Sequence, residues 1–189
     1  GAEFWGAPTP EGVLSPRTFG GEFVAQALLA AAATAPRGFS CHSLHCYFLR
    51  AGDSGSRTQY RVQRVRDGGT FSTREVTGEQ EGRGAVCTML CSFQAPEEGL
   101  RHGRDLPEGA AASLPAPESL KSLRETYEVH ARDPRVLPAF RAYLAGRAAQ
   151  GFTADYRYID DGDRVRPEKR APRKRIWMRA EGRLAGEAG

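Results

Sequence analysis

Two cysteines and two histidines lie within six positions of this chain, as Cys41, His42, His45 and Cys46 in the stretch SCHSLHCYF. Thiolate and imidazole groups are common protein ligands of zinc, so the residue types suggest a metal site. The stretch also has the composition of a β-strand, in which four residues extend over about 13 Å. Zinc binds its ligands at about 2.0–2.3 Å. The sequence therefore predicts a strand without a metal or other cofactor, and a site built from two neighbouring strands remains the alternative.

Strict alternation along this strand makes a further prediction about its two faces. Successive side chains of a strand point to opposite sides of the sheet. Cys41 and His45 are thus expected on one face, and His42 and Cys46 on the other. Each face would then hold one cysteine and one histidine.

The elements around this strand indicate an α+β fold. In residues 21–34 the apolar side chains recur with a period near 3.6, which predicts a helix of about four turns. After the helix the period changes to two, and glycine-containing turns join the segments, which favours antiparallel hairpins. The predicted strands are residues 41–50, 58–66, 70–79 and 85–94. One long helix followed by an antiparallel meander is an α+β arrangement, and the helix is expected to pack on one face of the sheet.

The composition changes after this block. We interpret residues 1–95 as a first domain that opens with an extended lead-in, 96–150 as a linker with two helices, and 151–189 as the initial strands of another domain. Asp133 and Pro134 resemble the cap and first turn of the second linker helix. Strand character returns at residues 152–159 and 175–184.

Charge and hydropathy limit the classes of function. The chain has 189 residues, a formal net charge of +4 and no apolar run long enough to span a bilayer. Four cysteines are too few for a disulfide scaffold and indicate reduced thiols in an intracellular compartment. The segment 164–183 carries nine Lys and Arg against two Glu. This excess could attract an anionic partner, but a solvated loop is the favoured interpretation. The segment lacks the aromatic pattern of a nucleic-acid binder, so no nucleic-acid partner is expected.

Four segments carry a resemblance to a known family, and they lie in the same order and spacing as in that family. They are RTFGGEFVAQALLAA (17–31), HSLHCYFLRAGD (42–53), VQRVRDGGTFSTREVTGEQEG (62–82) and CSFQAPEEG (91–99), with KRIWMRAEGRL (174–184) further on. The chain resembles the acyl-CoA thioesterase II family of bacteria and peroxisomes. That resemblance implies a double hotdog fold, in which each unit is a long helix wrapped by an antiparallel sheet. The first unit would be complete and the second only begun.

The same resemblance implies hydrolysis of acyl-CoA to fatty acid and CoA, in the peroxisome or cytoplasm. In the family an Asp, a Ser or Thr and a Gln act together, downstream of the segment that matches KRIWMRAEGRL. No catalytic residue is therefore assigned in this chain, which ends shortly after that segment. A non-catalytic binding or assembly module is the alternative function. An exposed sheet edge and an apolar face also predict a homo-oligomer.

Candidate substrate contacts come from three places in the first domain. Two small residues at a helix start allow close approach of a ligand oxygen to free N–H groups, and they would equally allow close helix packing. A histidine of the diagnostic strand is expected to face a ligand or to hold a contact in the core. The glycine turn before 70–79 is expected to line a groove or simply to close a hairpin. These candidates are Gly20, Gly21, His45, Gly69, Thr70 and Phe71.

Overall fold

The computed structural model describes residues 1–9, 16–100, 102–103, 113–150, 152, 154–160, 169 and 172–180. The chain forms two compact units, Gly1–Arg101 and His102–Gly189. The finer division into three segments at residues 95 and 150 stays a prediction.

The long helix of the first unit, α1, spans Gly20–Ala32 and confirms the helix predicted from periodicity. Its buried side chains are Phe23, Ala27, Ala30 and Ala31, which recur at intervals of one, three and four residues and form a single stripe. Ala27 and Ala31 are fully buried. Methyl side chains at these positions allow the helix backbone to approach the neighbouring layer closely.

The neighbouring layer is an antiparallel sheet of five strands. These are β1 (Ala2–Gly6), β2 (Ser40–Phe48), β3 (Thr58–Asp67), β4 (Phe71–Gln80) and β5 (Gly84–Gln94). Their order across the sheet is β1-β3-β4-β5-β2. The four predicted strands are confirmed, as are the hairpins β3–β4 and β4–β5. The predicted meander does not extend to β2, which pairs antiparallel with β5 instead of with its chain neighbour β3. The lead-in forms β1, which pairs with β3. Its five residues are too few for their periodicity to predict a strand.

The core of the first unit lies between α1 and one face of this sheet. Strand side chains that belong to it include Tyr60, Val62, Val76, Met89 and Phe93, all of them buried. They lie at alternate positions along their strands, as expected of a sheet that buries one face. One long helix against an antiparallel sheet confirms the predicted α+β class.

A buried arginine ties the end of α1 to the sheet. Arg74 is 1% exposed and donates hydrogen bonds to the carbonyl oxygen and the Oγ1 of Thr34, both at 2.8 Å. It also donates to the carbonyl oxygens of Arg66 and Thr73. The hydrogen bond from Arg74 lowers the pKa of Asp67, whose Oδ1 lies 2.5 Å away. The segment after α1 is thereby held against β3 and β4.

The cysteines and histidines of β2 do not follow strict alternation. The pairing of β2 with β5 shifts between Cys41 and Ser43, as it does at a β-bulge. Cys41 and Cys46 therefore both pack against the core, whereas His42 and His45 are exposed. The prediction of one cysteine and one histidine on each face is wrong, because alternation does not count the extra residue of the bulge.

The described residues of the second unit form two α-helices and two strands, as predicted, and a short 3-10 helix at Pro117–Ser119. The α-helices and strands are α2 (Leu123–Arg132), α3 (Pro138–Ala149), β6 (Ala154–Tyr158) and β7 (Ile176–Ala180). The two strands pair antiparallel. Their shared core includes Leu123, Tyr127, Val136, Leu144 and Ala148. Of the basic segment 164–183, residues 164–168, 170, 171 and 181–183 lie outside the described residues.

The predicted start of the second linker helix at Asp133 and Pro134 is wrong. Helix α3 begins at Pro138, and Asp133 follows the end of α2. The Asp133 carboxylate accepts hydrogen bonds from the backbone and the guanidinium of Arg135. Proline suits the first turn of a helix at either position, so the sequence does not separate the two possible starts.

Candidate functional site

The N-terminal end of α1 presents backbone N–H groups without a side-chain cap. Phe19 occupies the N-cap position and makes no side-chain capping hydrogen bond. The N–H groups of Gly20 and Gly21 have no acceptor within the helix, as is general for a first turn. The helix dipole adds partial positive charge at this end. Such an end can bind a carbonyl or phosphate oxygen.

Both glycines lie against aromatic rings. A Cβ on Gly20 would lie 2.9 Å from the ring of Phe48, and a Cβ on Gly21 would lie 2.5 Å from the ring of Phe19. These separations are shorter than a van der Waals contact between carbon atoms. Phe19 and Phe48 are 76% and 57% exposed. The helix end is therefore flanked by accessible apolar surface.

A hydrogen-bonded chain that the sequence analysis missed runs beside the first two turns of α1. Thr9 Oγ1 donates to Glu22 Oε2 at 2.9 Å, and Gln26 Nε2 donates to Glu22 Oε1 at 3.4 Å. The Tyr60 hydroxyl donates to Gln26 Oε1 at 3.0 Å. Burial raises the pKa of Tyr60, so this hydroxyl stays a donor. The spacing of four between Glu22 and Gln26 is the signal in the sequence that would have placed them together.

A buried glutamine fixes the loop after β2 beside the start of α1. Gln80 is 2% exposed; its amide nitrogen donates to the carbonyl oxygen of Asp53, and its Oε1 accepts from the Asp53 N–H. Thr18 N–H, just before the helix, donates to the carbonyl oxygen of Gly52 at 3.2 Å. A Cβ on Gly52 would lie 2.2 Å from the ring of Phe23 in α1. The loop and the helix end are thus held together by close backbone approach.

The second glycine segment lies in the turn between β3 and β4. Gly68 N–H donates to the carbonyl oxygen of Phe71 at 2.8 Å, which closes the hairpin. Gly69 and Thr70 are exposed, and a Cβ on Gly69 would meet nothing within 4 Å. Phe71 is half-buried, and its ring meets the ring of His42 edge-on, with centroids 5.6 Å apart. The turn itself requires no close approach of another group at Gly69.

His45 lies on the face of the sheet that points away from α1. Its neighbour Cys46 packs against the core, so the alternate position points outward. His45 pairs with Leu90 of β5, which is exposed, and its ring lies 4.6 Å from the ring of Tyr47. It is a surface residue on the face of the sheet opposite α1.

The six predicted contacts form separate groups on the first unit. Gly20 lies against Phe48 at the end of β2. Phe71 pairs with Gln94, which pairs with Ser40 at the start of β2. The nine residues of β2 extend over about 26 Å. The helix start and the β3–β4 turn therefore lie at opposite ends of the sheet and do not form one small site.

Three buried or half-buried thiols of the first unit are poor nucleophiles. Burial raises the pKa of Cys87 and of Cys91 to about 11, and it also raises the pKa of Cys46. A protonated thiol neither attacks a carbonyl nor binds a metal well. Within the described part of the chain, no three His, Cys, Asp or Glu side chains converge as metal ligands would.

Solved structures share this architecture. A protein of Alicyclobacillus acidocaldarius described as having the hot dog fold matches with a TM-score of 0.61 and 19% identity, over 96% of this chain and 58% of its own. The tesB protein of Mycobacterium avium subsp. paratuberculosis matches with a TM-score of 0.63 and 27% identity, over 98% of this chain and 57% of its own. The long helix packed on an antiparallel sheet is therefore a hotdog fold.

Sequence comparison narrows the class to a family. Residues 9–94 match the acyl-CoA thioesterase N-terminal domain. Acyl-coenzyme A thioesterase 8 of Mus musculus is 34% identical over 183 residues, which cover 96% of this chain and 53% of the mouse protein. Peroxisomal acyl-coenzyme A thioester hydrolase 1 of Saccharomyces cerevisiae is 32% identical over 146 residues, or 76% of this chain and 41% of the yeast protein.

The chain belongs to the acyl-CoA thioesterase II family, which confirms the resemblance found in its sequence. It spans about half the length of the curated relatives it matches.

Proposed function

We propose that this chain is part of an enzyme that hydrolyses fatty acyl-CoA to a free fatty acid and CoA. The observation that carries the proposal is the match of residues 9–94 to the acyl-CoA thioesterase N-terminal domain. The names of the mouse and yeast relatives support the same substrate class.

The start of α1 suits one part of this chemistry. Water adds to the thioester carbonyl, the carbon–sulfur bond breaks, and the sulfur leaves as the thiol of CoA. Negative charge develops on the carbonyl oxygen, so the reaction needs donors placed at that oxygen. The N–H groups of Gly20 and Gly21 are such donors, and Phe19 and Phe48 offer apolar contact to an acyl chain beside them. No general base is assigned to this chain.

The other predicted contacts have a different place in this proposal. The start of α1 is too far from His45, Gly69, Thr70 and Phe71 for one carbonyl group to contact them together with Gly20. They stay proposed contacts for parts of a long acyl-CoA molecule remote from the thioester.

A binding or assembly module without turnover is the second candidate function. Glu22 is the acidic residue in the first turn of α1. Its carboxylate already accepts hydrogen bonds from Thr9 and Gln26. That arrangement favours a role in fixing the helix end over a role in activating water.

The proposed assembly is a homo-oligomer, and the proposed compartment is the peroxisome or the cytoplasm. Strand β2 is an edge strand of the described sheet and exposes Leu44, Tyr47 and Phe48. The name of the yeast relative supports a peroxisomal location. In the described ranges, no helix is long and apolar enough to cross a membrane.

The test separates binding from turnover. Isothermal titration calorimetry measures the affinity of the chain for a thioether analogue of decanoyl-CoA, which cannot be hydrolysed. A thiol reagent measures CoA release from decanoyl-CoA.

In Gly20→Val the added side chain would meet Phe48 and cover the helix N–H groups, so we expect a loss of affinity for the analogue of about tenfold or more. Gly99→Val is the control, because a Cβ there meets nothing within 4 Å.

Three outcomes are decisive. Binding with CoA release supports the hydrolase, and binding without release supports the module. No saturable binding of the analogue, in a chain that circular dichroism shows to be folded, would contradict both the hydrolase and a binding module and would leave only a role in assembly.

A further inference from the structure

The second unit contains a cavity that the proposed function does not use. Its volume is about 520 Å³, and it lies where the first turn of α2 meets β6 and β7. Three arginines, Arg124, Arg157 and Arg179, line it together with one carboxylate, that of Asp155. The excess of guanidinium groups favours an anionic ligand.

One arginine of the cavity is fixed and another is accessible. Arg157 donates to Asp155 Oδ2 at 2.8 Å and to the carbonyl oxygens of Pro117 and Leu120. Arg179 lies opposite Asp155 in the strand pairing, but its guanidinium is 3.7 Å from that carboxylate. This separation is longer than a hydrogen bond. Because its side chain is 75% exposed, Arg179 can turn its N–H groups toward a ligand.

The remaining arginine and two aromatic rings also line the cavity. The guanidinium of Arg124 lies over the ring of Phe152, 5.3 Å from its centroid, and donates to the carbonyl oxygen of Ala148 at 2.7 Å. Phe152 and Tyr156 both line the cavity. The volume falls within the range of about 300–1,000 Å³ that is usual for small-molecule sites. It exceeds what a single phosphate ion would fill.

We propose that this cavity binds a phosphorylated small molecule through its phosphate group. Guanidinium groups match phosphate oxygens with two parallel hydrogen bonds, and the aromatic rings offer surface for the rest of the molecule. The phosphates of CoA and those of other phosphoesters share this chemistry. The proposed site does not depend on thioester hydrolysis, because only the binding of a ligand is proposed for it.

Calorimetry on the full 189-residue chain in phosphate-free buffer tests the site. The probes are adenosine 3′,5′-bisphosphate, which is the nucleotide part of CoA, inorganic pyrophosphate, and adenosine as the form without phosphate. We expect saturable binding of at least one phosphorylated probe, with one site per chain, and none of adenosine. Tighter binding of the bisphosphate assigns the site to the nucleotide part of CoA, whereas equal or tighter binding of pyrophosphate assigns it to phosphate groups without a nucleoside.

Variants locate the binding in the cavity. We expect Arg179→Ala and Arg124→Gln each to weaken binding at least fivefold. The matched control is Arg135→Ala, because Arg135 is 77% exposed, lies in the same unit and pairs with Asp133 outside the cavity. Circular dichroism melts show whether each variant is folded.

Two results would overturn the proposal. One is the absence of saturable binding of both phosphorylated probes. The other is that Arg179→Ala and Arg124→Gln, if both are folded, bind the phosphorylated probes as tightly as Arg135→Ala does. Since none of the probes is an ester of CoA, a failure here leaves the thioesterase proposal untouched.

Discussion

The guanidinium of Arg74 is the most deeply buried charged group that the structure describes, and its surroundings explain why it is tolerated. Burial of an unpaired charge is strongly unfavourable. Arg74 meets Asp67 and donates to three backbone carbonyl oxygens, those of Thr34, Arg66 and Thr73. Its position beyond the C-terminal end of α1 is also favourable to a positive charge. One side chain thus joins the helix end to two strands.

Replacement of this arginine should destabilise the first unit. Arg74→Met keeps much of the side-chain length but removes every donor, and the carbonyl oxygens it served stay buried. We expect the free energy of unfolding to fall by roughly 2–4 kcal/mol, measured by urea denaturation followed by circular dichroism.

The control for this change is Arg61→Met on β3. Arg61 is 54% exposed and pairs with Glu79 at 2.9 Å, and exposed ion pairs contribute about 1 kcal/mol or less. Equal losses in the two variants would show that the buried network does not hold the unit together.

At the scale of the element, helix α1 both packs closely on the sheet and presents an uncapped N-terminal end. Its buried stripe is alanine-rich, so the backbone lies close to the sheet. At its N-terminal end the N-cap residue Phe19 makes no capping hydrogen bond, which leaves the N–H groups of Gly20 and Gly21 for a ligand. Stability is therefore supplied by the packed face, and the uncapped end is left open for function.

A longer side chain on the packed face should disturb this layer. Ala27→Leu inserts a branched side chain at a position that is fully buried. We expect a loss of about 1–3 kcal/mol in the free energy of unfolding, because an overpacked core must shift its backbone or rotamers.

Ala25→Leu is the matched comparison on the same helix, since Ala25 is exposed. We expect a change within about 0.5 kcal/mol there. Thermal melts and urea titrations of both variants measure the difference. A neutral Ala27→Leu would mean that α1 does not pack closely on the sheet.

At the scale of the whole molecule, the two edges of the described sheet differ in charge. Strand β1 at one edge carries Glu3, which lies 3.6 Å from Arg61. Strand β2 at the other edge has no charged residue in SCHSLHCYF and exposes apolar side chains. Edge strands that remain single commonly carry charges that prevent pairing. The edge at β2 is therefore the expected contact in the proposed oligomer.

A charge at this edge should shift the oligomeric state. Tyr47 on β2 and Trp5 on β1 are exposed to a similar degree, 62% and 58%. We expect Tyr47→Lys to lower the molar mass measured by light scattering after size-exclusion chromatography, because an ammonium group would be buried at the contact. Trp5→Lys should leave the mass unchanged. A parent chain that is monomeric at all accessible concentrations would refute the proposed oligomer.

The sequence by itself determined the helix of α1, the strands β2 to β5 and the hairpins that join β3, β4 and β5. Periodicity and turn residues are local properties, and they act within about ten residues of each other. The ordered segments around HSLHCYFLRAGD were likewise sufficient to identify the family, because their order and spacing are properties of the chain alone.

Only the tertiary structure decided which distant residues meet. The bulge after Cys41 turned both cysteines to the core, and strand pairing separated Gly20 from Phe71. Arg124 and Arg179 line one cavity although 55 positions separate them in the chain. The physical reason is that register and packing couple segments far apart in the chain, and no local pattern records those contacts.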